Sequence, residues 1–190
     1  MGEVNEDKDN YDFNAFASGP FGYYHFHGYG GRHRSIYNMK EIVFFLDINK
    51  SMDVIDLGTG DGYFSKEFAK YAKSVTAVDI NDEYFAEMEK EGIKTIKEDL
   101  CKFSNGLYDL AFMSNVYHGL RMSCKDAFLK NLGGITNNFA IMDFNEKMDF
   151  GPRIRVSKDT VIKDLSEYGF ELAKQKDFEY HYLLVFSKRV

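Results

Sequence analysis

A glycine-rich turn is the part of the sequence whose chemistry is most readily interpreted. An apolar stretch at residues 53–57 leads into glycines at positions 58, 60 and 62. A turn of this kind after a strand lets backbone N–H groups and a helix N-terminus approach a ligand without obstruction by Cβ atoms. The pattern predicts a site for a nucleotide-like cofactor, which can be a dinucleotide, S-adenosylmethionine or a bare phosphate.

The residues around the glycines separate these three ligands. A phosphate-binding loop would end in Gly-Lys-Ser or Gly-Lys-Thr, whereas Gly62 is followed here by Tyr63 and Phe64. A dinucleotide turn needs a small residue at the position of Tyr63, so that its helix can pack closely. Asp56 and Asp61 would also repel a pyrophosphate, and they suit a ligand that carries a sulfonium and an α-ammonium group.

Two further carboxylates follow the next predicted strands. Asp79 ends the second strand, 23 positions after Asp56, where it can accept hydrogen bonds from both hydroxyls of a ribose. This role suits any adenosine-type ligand, and the alternative is that Asp79 caps the helix that begins near Asn81. Asp99 follows the third strand and can accept a hydrogen bond from an adenine amino group.

Alternating strands and helices predict an α/β fold. Ser35 can cap a first helix, and Ser157 can cap a last one, which Gly169 ends. The final two strands have no helix between them, so they form a hairpin with one strand antiparallel to its neighbour. The predicted strands are residues 53–57, 75–79, 93–96, 108–113, 135–143, 170–178 and 181–187, and the helices between them are 63–72, 82–91 and 123–132.

Four sequence segments together resemble a known enzyme class. VIDLGTGDG, VTAVDI, IKEDL and YDLAFMSNVYHGL occur in the order and at the intervals of the class I S-adenosylmethionine-dependent methyltransferases. The resemblance is strongest to the small type 11 branch, which is related to the ubiquinone and menaquinone biosynthesis methylases. It covers most of residues 35–190 and implies a Rossmann-like sheet of seven mostly parallel strands, with an antiparallel last strand and helices on both faces.

The resemblance also implies a role for each matching position. Asp79 would hold the ribose, Ile80 and Leu100 would sandwich the adenine, and Asp99 would bond its amino group. Asn115 would face the methionine end of the cofactor and the acceptor. The full set of implied cofactor-binding residues is Asp56, Gly58, Thr59, Gly60, Gly62, Asp79, Ile80, Asp99, Leu100 and Asn115.

The end of the fourth strand offers candidates for catalysis. His118 follows the edge where an acceptor would sit, and a histidine can take up a proton near neutral pH. The alternative is a histidine that only packs or makes a hydrogen bond; Tyr117 is the second catalytic candidate. Amino-directed nucleic-acid methylases carry Asn/Asp-Pro-Pro-Tyr/Phe where this chain has Ser114-Asn115-Val116-Tyr117, so exocyclic amines of DNA bases are not expected as acceptors.

The N-terminal segment, residues 1–34, is predicted to be a disordered or lid segment ahead of a methyltransferase domain at residues 35–190. Its glycines, aromatic residues and cations fit a lid that closes over cofactor and acceptor, and the alternatives are a metal site and a surface loop. No metal is expected, because no acidic residue lies near enough in the sequence to complete a histidine site. The candidate lid and substrate residues are Tyr24, His25, His27, Arg34 and Arg153.

Composition narrows the partners. The net charge of −6 argues against broad nucleic-acid or membrane-surface binding and leaves a local basic patch open. No apolar run approaches the ~20 residues that span a bilayer. The two cysteines, Cys101 and Cys124, match no zinc spacing and predict no disulfide framework. The N-terminus lacks a secretory signal, so a cytoplasmic protein is expected.

These observations predict an S-adenosylmethionine-dependent methyltransferase that acts on a small-molecule acceptor. The alternatives are a methyltransferase for a macromolecule (tRNA or a protein side chain), a non-catalytic S-adenosylmethionine-binding protein, and an NAD-dependent oxidoreductase. The glycine spacing and the acidic residues weaken the last of these. The sequence does not indicate an oligomeric state.

Overall fold

The computed structural model describes residues 37–145 and 154–189, which fold into one sheet with helices on both faces. No helix in these two ranges has the length and hydrophobicity needed to cross a lipid bilayer. The strands are β1 Asp53–Leu57, β2 Ser74–Asp79, β3 Lys94–Lys97, β4 Leu110–Ser114, β5 Asn138–Phe144, β6 Phe170–Asp177 and β7 His181–Lys188. The helices are α1 Met39–Phe45, α2 Tyr63–Phe68, α3 Phe85–Lys90, α4 Tyr117–Ser123, α5 Lys125–Ile135 and α6 Lys158–Ser166.

The strand order is β3-β2-β1-β4-β5-β7-β6 within the part of the chain that the structure describes. Strands β1 to β5 are parallel to one another, and β7 is antiparallel to both β5 and β6. The predicted α/β fold, with seven mostly parallel strands and an antiparallel last strand, is therefore confirmed. The short β6–β7 connection makes this reversal necessary, because a parallel pair would need a crossover.

The central strands β1, β4, β5 and β7 are buried on both faces and are therefore rich in apolar residues, whereas the edge strands β3 and β6 are partly exposed. Alternate residues of β1 point to opposite sides, so that Val54 belongs to one apolar cluster and Ile55 to the other. Helices α1, α2 and α3 cover the Val54 side, with Ile42, Phe68 and Met88 buried there. Helices α4, α5 and α6 cover the Ile55 side.

Two helix starts differ from the sequence-based expectation. The N-cap of α1 is Asn38, whose side chain accepts a hydrogen bond from the Glu41 N–H, whereas Ser35 lies outside the described residues. Helix α4, of seven residues, has no counterpart in the prediction. The cap of α6 at Ser157 agrees with the prediction, and Gly169 follows that helix with a left-handed φ of 81°.

The two cysteines form a disulfide, which the sequence did not predict. Cys101 lies in the loop after β3, and Cys124 lies at the junction of α4 and α5. The bond closes a loop of 23 positions between segments that have no recognisable cysteine motif. It ties the loop that carries Asp99 and Leu100 to the helix that carries His118.

We expect Cys124→Ser to lower the free energy of unfolding by about 3 kcal/mol under oxidising conditions, because a cross-link of this loop length restricts the unfolded chain. Urea titrations with and without a reducing agent measure this difference, which should vanish when the wild type is reduced. Cys101→Ser is the matched variant and should behave in the same way. Two reactive thiols in the denatured, unreduced wild type would contradict the disulfide.

Candidate active site

The candidate site lies at the carboxyl ends of β1, β2 and β4. Strand β1 pairs with β2 on one side and with β4 on the other, so the strand order reverses at β1. In open α/β sheets this reversal leaves a crevice outside the carboxyl edge, where ligands bind. The glycine turn after β1, Asp79 and Asn115 all lie at this edge.

All three glycines of the turn have left-handed backbones, with φ values of 80°, 56° and 76° at Gly58, Gly60 and Gly62. A β-carbon at Gly58 would lie 2.6 Å from a methyl carbon of Val116, and one at Gly62 would lie 2.5 Å from the sulfur of Met88. A β-carbon at Gly60 would meet nothing within 4 Å. The first and third glycines are thus needed for packing within the protein, whereas the second faces open space that a ligand can occupy.

The side chains of Asp56 and Thr59 face the inside of the turn. Asp56 is 2% exposed, and its Oδ2 accepts hydrogen bonds from Thr59 Oγ1 at 3.0 Å and Ser65 Oγ at 2.6 Å. Burial raises the pKa of Asp56 to about 6, although these two hydrogen bonds lower it. These side chains support the turn from within, and their direct contact with the cofactor stays a prediction.

Asp79 connects the glycine turn to the end of β2. Its Oδ2 accepts a hydrogen bond from the Gly60 N–H and its Oδ1 accepts one from the Asn81 N–H, both at 2.9 Å. The carboxylate is half-buried and keeps a second lone pair on each oxygen. It can therefore hold the turn and still accept hydrogen bonds from a ribose. The helix-cap alternative does not describe it, because α3 begins only at Phe85.

The residues predicted to hold the adenine differ in exposure. Ile80 is 37% exposed at the end of β2, so one face of its side chain is open to a ligand. Leu100 is 7% exposed and packs in the apolar cluster on the Ile55 side of the sheet. Asp99 uses one carboxylate oxygen to accept the Cys101 N–H at 2.9 Å, which fixes the start of this loop.

Asn115 adopts a strained backbone at the end of β4. Its φ of 57° is uncommon for a residue other than glycine. The side-chain Nδ2 donates to the hydroxyl of Tyr37 at 2.8 Å, whereas Oδ1 is buried without a hydrogen-bond partner. A buried acceptor without a partner costs ~1–3 kcal/mol, so its position at a ligand edge indicates that a ligand supplies the donor.

His118 pairs with Asp143 at the adjacent strand end. Its Nδ1 lies 3.1 Å from both carboxylate oxygens of Asp143, and its backbone N–H donates to Oδ2 at 3.3 Å. Both residues are buried, with 7% of His118 and 1% of Asp143 exposed. The predicted base is thus held by a carboxylate from β5, which the sequence did not single out.

A second histidine, His181, is fully buried beside Tyr37. Its Nε2 lies 3.4 Å from the Tyr37 hydroxyl, its ring centroid is 4.5 Å from that of Phe144, and its Nδ1 has no partner. Burial lowers the pKa of His181 to about 4, although the negative charge of Asp143 acts in the opposite direction. The imidazole is therefore neutral at physiological pH.

Tyr117 is turned into the core, which corrects its predicted catalytic role. Its side chain is fully buried, and its hydroxyl donates to Asp164 in α6 at 3.1 Å. Arg121 and Lys125 bond the same carboxylate. A hydroxyl in this cluster fastens α4 to α6 and is not presented to a ligand.

The predicted lid and substrate residues lie outside the described residues. These residues are Tyr24, His25, His27, Arg34 and Arg153. Sequence reasoning missed three partners in the site, namely Tyr37, Asp143 and His181. Only Asp143 carries a signal, because a carboxylate near the end of the apolar strand β5 is unusual.

No curated protein matches the chain. A family model described as ribosomal RNA adenine dimethylase matches residues 34–140, which is more than half of the chain. The matched range contains the glycine turn, Asp79, Asp99, Asn115 and His118.

Three solved structures with a similar fold are described as methyltransferases. An S-adenosylmethionine-dependent methyltransferase from Aquifex aeolicus is 21% identical with a TM-score of 0.71, covering 82% of this chain and 91% of that one. A putative type 11 methyltransferase from Sulfolobus solfataricus is 20% identical with a TM-score of 0.66, covering 80% and 92%. Magnesium protoporphyrin IX methyltransferase from Synechocystis PCC 6803, with bound S-adenosylhomocysteine, is 19% identical with a TM-score of 0.65, covering 81% and 83%.

We expect Gly60→Ala to weaken S-adenosylhomocysteine binding at least about tenfold while costing about 1–2 kcal/mol of stability, because the added methyl enters open space from a left-handed backbone. Gly58→Ala is the matched variant and should destabilise the fold by more, since its methyl also meets Val116. Calorimetric titration and urea unfolding give the two quantities. Unchanged affinity in folded Gly60→Ala would remove this turn from the cofactor site.

The depressed pKa of His181 predicts an acid-sensitive contribution to stability. Below its ordinary value near 6.5 the unfolded chain takes up a proton, whereas the folded chain does so only near pH 4. The free energy of unfolding should therefore fall by roughly 3 kcal/mol between pH 6.5 and 4 through this residue alone. His181→Phe lacks this group, so its free energy of unfolding should fall less between pH 6.5 and 4 than that of the wild type. If the free energies of unfolding of variant and wild type change in parallel with pH, the prediction is wrong.

Proposed function

The chain belongs to the ribosomal RNA adenine dimethylase family, and from this premise we propose that it methylates the exocyclic amine of an adenine in RNA. The expected enzyme class is confirmed: the protein is an S-adenosylmethionine-dependent methyltransferase with a Rossmann-like fold. S-adenosylmethionine is its cofactor, as expected from the glycine turn.

The expectation of a small-molecule acceptor without nucleic-acid binding is wrong. The family acts on ribosomal RNA, and the match extends over the whole candidate cofactor site. The expectation rested on a net charge of −6, which sums the entire chain. RNA contact depends on the local arrangement of Lys and Arg near the bound strand, which a sum does not describe.

The buried Oδ1 of Asn115 is the observation that carries the proposal. An adenine amine has two N–H donors, and one of them can satisfy this oxygen. In the amide orientation of the structure, Nδ2 donates to the Tyr37 hydroxyl and Oδ1 is the atom without a partner. The absence of the Pro-Pro pair argues against amines of DNA bases as acceptors. Asn115 can still bind an amine, because its buried Oδ1 accepts a hydrogen bond without that pair.

Aromatic rings beside Asn115 favour a planar acceptor. The Tyr37 ring centroid lies 5.9 Å from that of Tyr63 and 5.2 Å from that of Phe64. Tyr37 and Tyr63 are half-buried, so part of each remains accessible. A base taken out of an RNA stack recovers stacking energy against such rings.

The cofactor-binding roles expected from the sequence enter the proposal with one refinement. The backbone of the Gly58–Gly62 turn would contact the cofactor, and the Asp79 carboxylate would accept hydrogen bonds from its ribose hydroxyls. Ile80 and Leu100 would border the adenine, and Asp99 would accept from its amino group. When bound, S-adenosylmethionine supplies a methyl group on a sulfonium, so the protein needs mainly to orient the acceptor.

Three finer expectations stay predictions. The type 11 branch is a narrower assignment than the family match supports, and the division at residue 34 into a lid and a domain concerns residues outside the described ranges. A cytoplasmic location likewise stays a prediction.

The direct test is methyl transfer from tritiated S-adenosylmethionine to ribosomal RNA, offered both deproteinised and as ribosomal subunits. Nuclease digestion and mass spectrometry of the nucleosides should show N6-methyladenosine or N6,N6-dimethyladenosine. Label in other nucleosides, label in protein alone, or no incorporation into either substrate would contradict the proposal.

We expect Asn115→Gly to lower kcat/KM for RNA about 100-fold, because the amide that orients the amine is lost. Glycine accepts the φ of 57° without strain, so the change tests the amide and not the backbone. Asn138→Ala is the control, since Asn138 is exposed at the opposite edge of the sheet. Wild-type activity in Asn115→Gly would refute this role.

A further inference from the structure

We propose that Asp143 positions His118 to remove the proton that methyl transfer releases, an inference that rests on the proposed amine acceptor. Both carboxylate oxygens of Asp143 lie 3.1 Å from His118 Nδ1. The carboxylate is itself fixed, because it also accepts the backbone N–H of His118 at 3.3 Å and that of Phe144 at 2.8 Å. These contacts hold the Asp143 carboxylate in place against the His118 ring.

The pairing selects one form of the imidazole. A carboxylate can only accept hydrogen bonds, so the proton of a neutral His118 lies on Nδ1. The lone pair then lies on Nε2, which becomes the atom that can receive a proton. A buried carboxylate also stabilises the imidazolium that forms when the proton arrives.

The pair lies at the same strand edge as the proposed amine site. The backbone N–H of Asn115 donates to the carbonyl of Met142 at 2.8 Å, and Met142 directly precedes Asp143. His118 is three residues after Asn115, in the first turn of α4. The amide that accepts the amine and the imidazole that accepts the proton thus flank one end of β5.

The reaction balances with this assignment. The amine nitrogen forms a bond to the methyl carbon as the sulfonium–carbon bond breaks, and the donor becomes a neutral thioether. The nitrogen then carries one proton too many, which passes to Nε2 of His118 and later to solvent. Its removal restores the lone pair that a second methylation needs.

The other titratable groups near Asp143 are unsuited to this role. Burial raises the pKa of Tyr37 to about 12 and lowers that of His181 to about 4, so neither exchanges a proton near neutral pH. Burial also raises the pKa of Tyr182 and of Tyr117. Their hydroxyls donate to the carbonyl of Val156 and to Asp164 respectively. Among these neighbours of Asp143, His118 is the group that we propose accepts the proton from the amine.

Nitrogen-15 NMR of the histidine rings tests the pairing without any assay of activity. The wild type should show His118 protonated on Nδ1, and a proton on Nε2 instead would overturn the proposal. In Asp143→Asn the new amide can donate as well as accept, so the preference for a proton on Nδ1 should be lost and the form protonated on Nε2 should appear. Asp164→Asn, another buried carboxylate change, is the control and should leave the His118 tautomer unchanged.

Kinetics of RNA methylation tests the function of the pair. Asp143→Asn and His118→Gln should each lower kcat about 100-fold, with S-adenosylhomocysteine affinity retained. The double variant should lose little more than either single variant, since both changes remove one proton acceptor. Multiplying losses would show that Asp143 acts independently of His118. If RNA is no substrate, the NMR assignment of the His118 tautomer still decides the pairing, so the two proposals fail separately.

Discussion

The packing of the glycine turn against the loop after β4 is the contact on which the rest of the site depends. The α-carbon of Gly58 approaches the side chain of Val116 so closely that a β-carbon would lie 2.6 Å from it. Because Val116 follows Asn115, this contact places the cofactor turn beside the amide proposed to receive the amine. Methyl transfer requires reacting atoms about 3–3.5 Å apart, and a rigid contact of this kind can hold donor and acceptor in register.

Polar groups along this edge are mostly held by the protein itself. Asp56 is enclosed by two hydroxyls, and Asp143 is bonded by a ring nitrogen and two backbone N–H groups. Such groups are arranged before a ligand arrives and do not have to reorganise during reaction. Among the described residues the exceptions are Asn115 Oδ1, Ser114 Oγ and His181 Nδ1, which are buried without a hydrogen-bond partner. Asn115 Oδ1 is the one that we propose accepts a hydrogen bond from the acceptor amine.

The fold could be predicted because its causes are local. Strands such as residues 53–57 are apolar on both faces, Ser157 caps its helix within the next turn, and the short C-terminal hairpin dictates an antiparallel strand. Much of the site depends on contacts that no local pattern encodes. Tyr37 reaches residues 78 and 144 positions away, and Asp143 meets His118 across 25 positions. The acceptor class was missed because net charge is a global sum, and the disulfide because its cysteines stand in no motif.

A structure of the complex with S-adenosylhomocysteine tests the central claim most directly, since that claim concerns where the sulfur lies relative to Asn115. The account predicts that the nucleoside lies against the Gly58–Gly62 turn with its ribose at Asp79. The sulfur should be directed at the Asn115 amide, with space between them for the edge of one base. A sulfur directed away from Asn115, or a nucleoside bound elsewhere on the sheet, would contradict it.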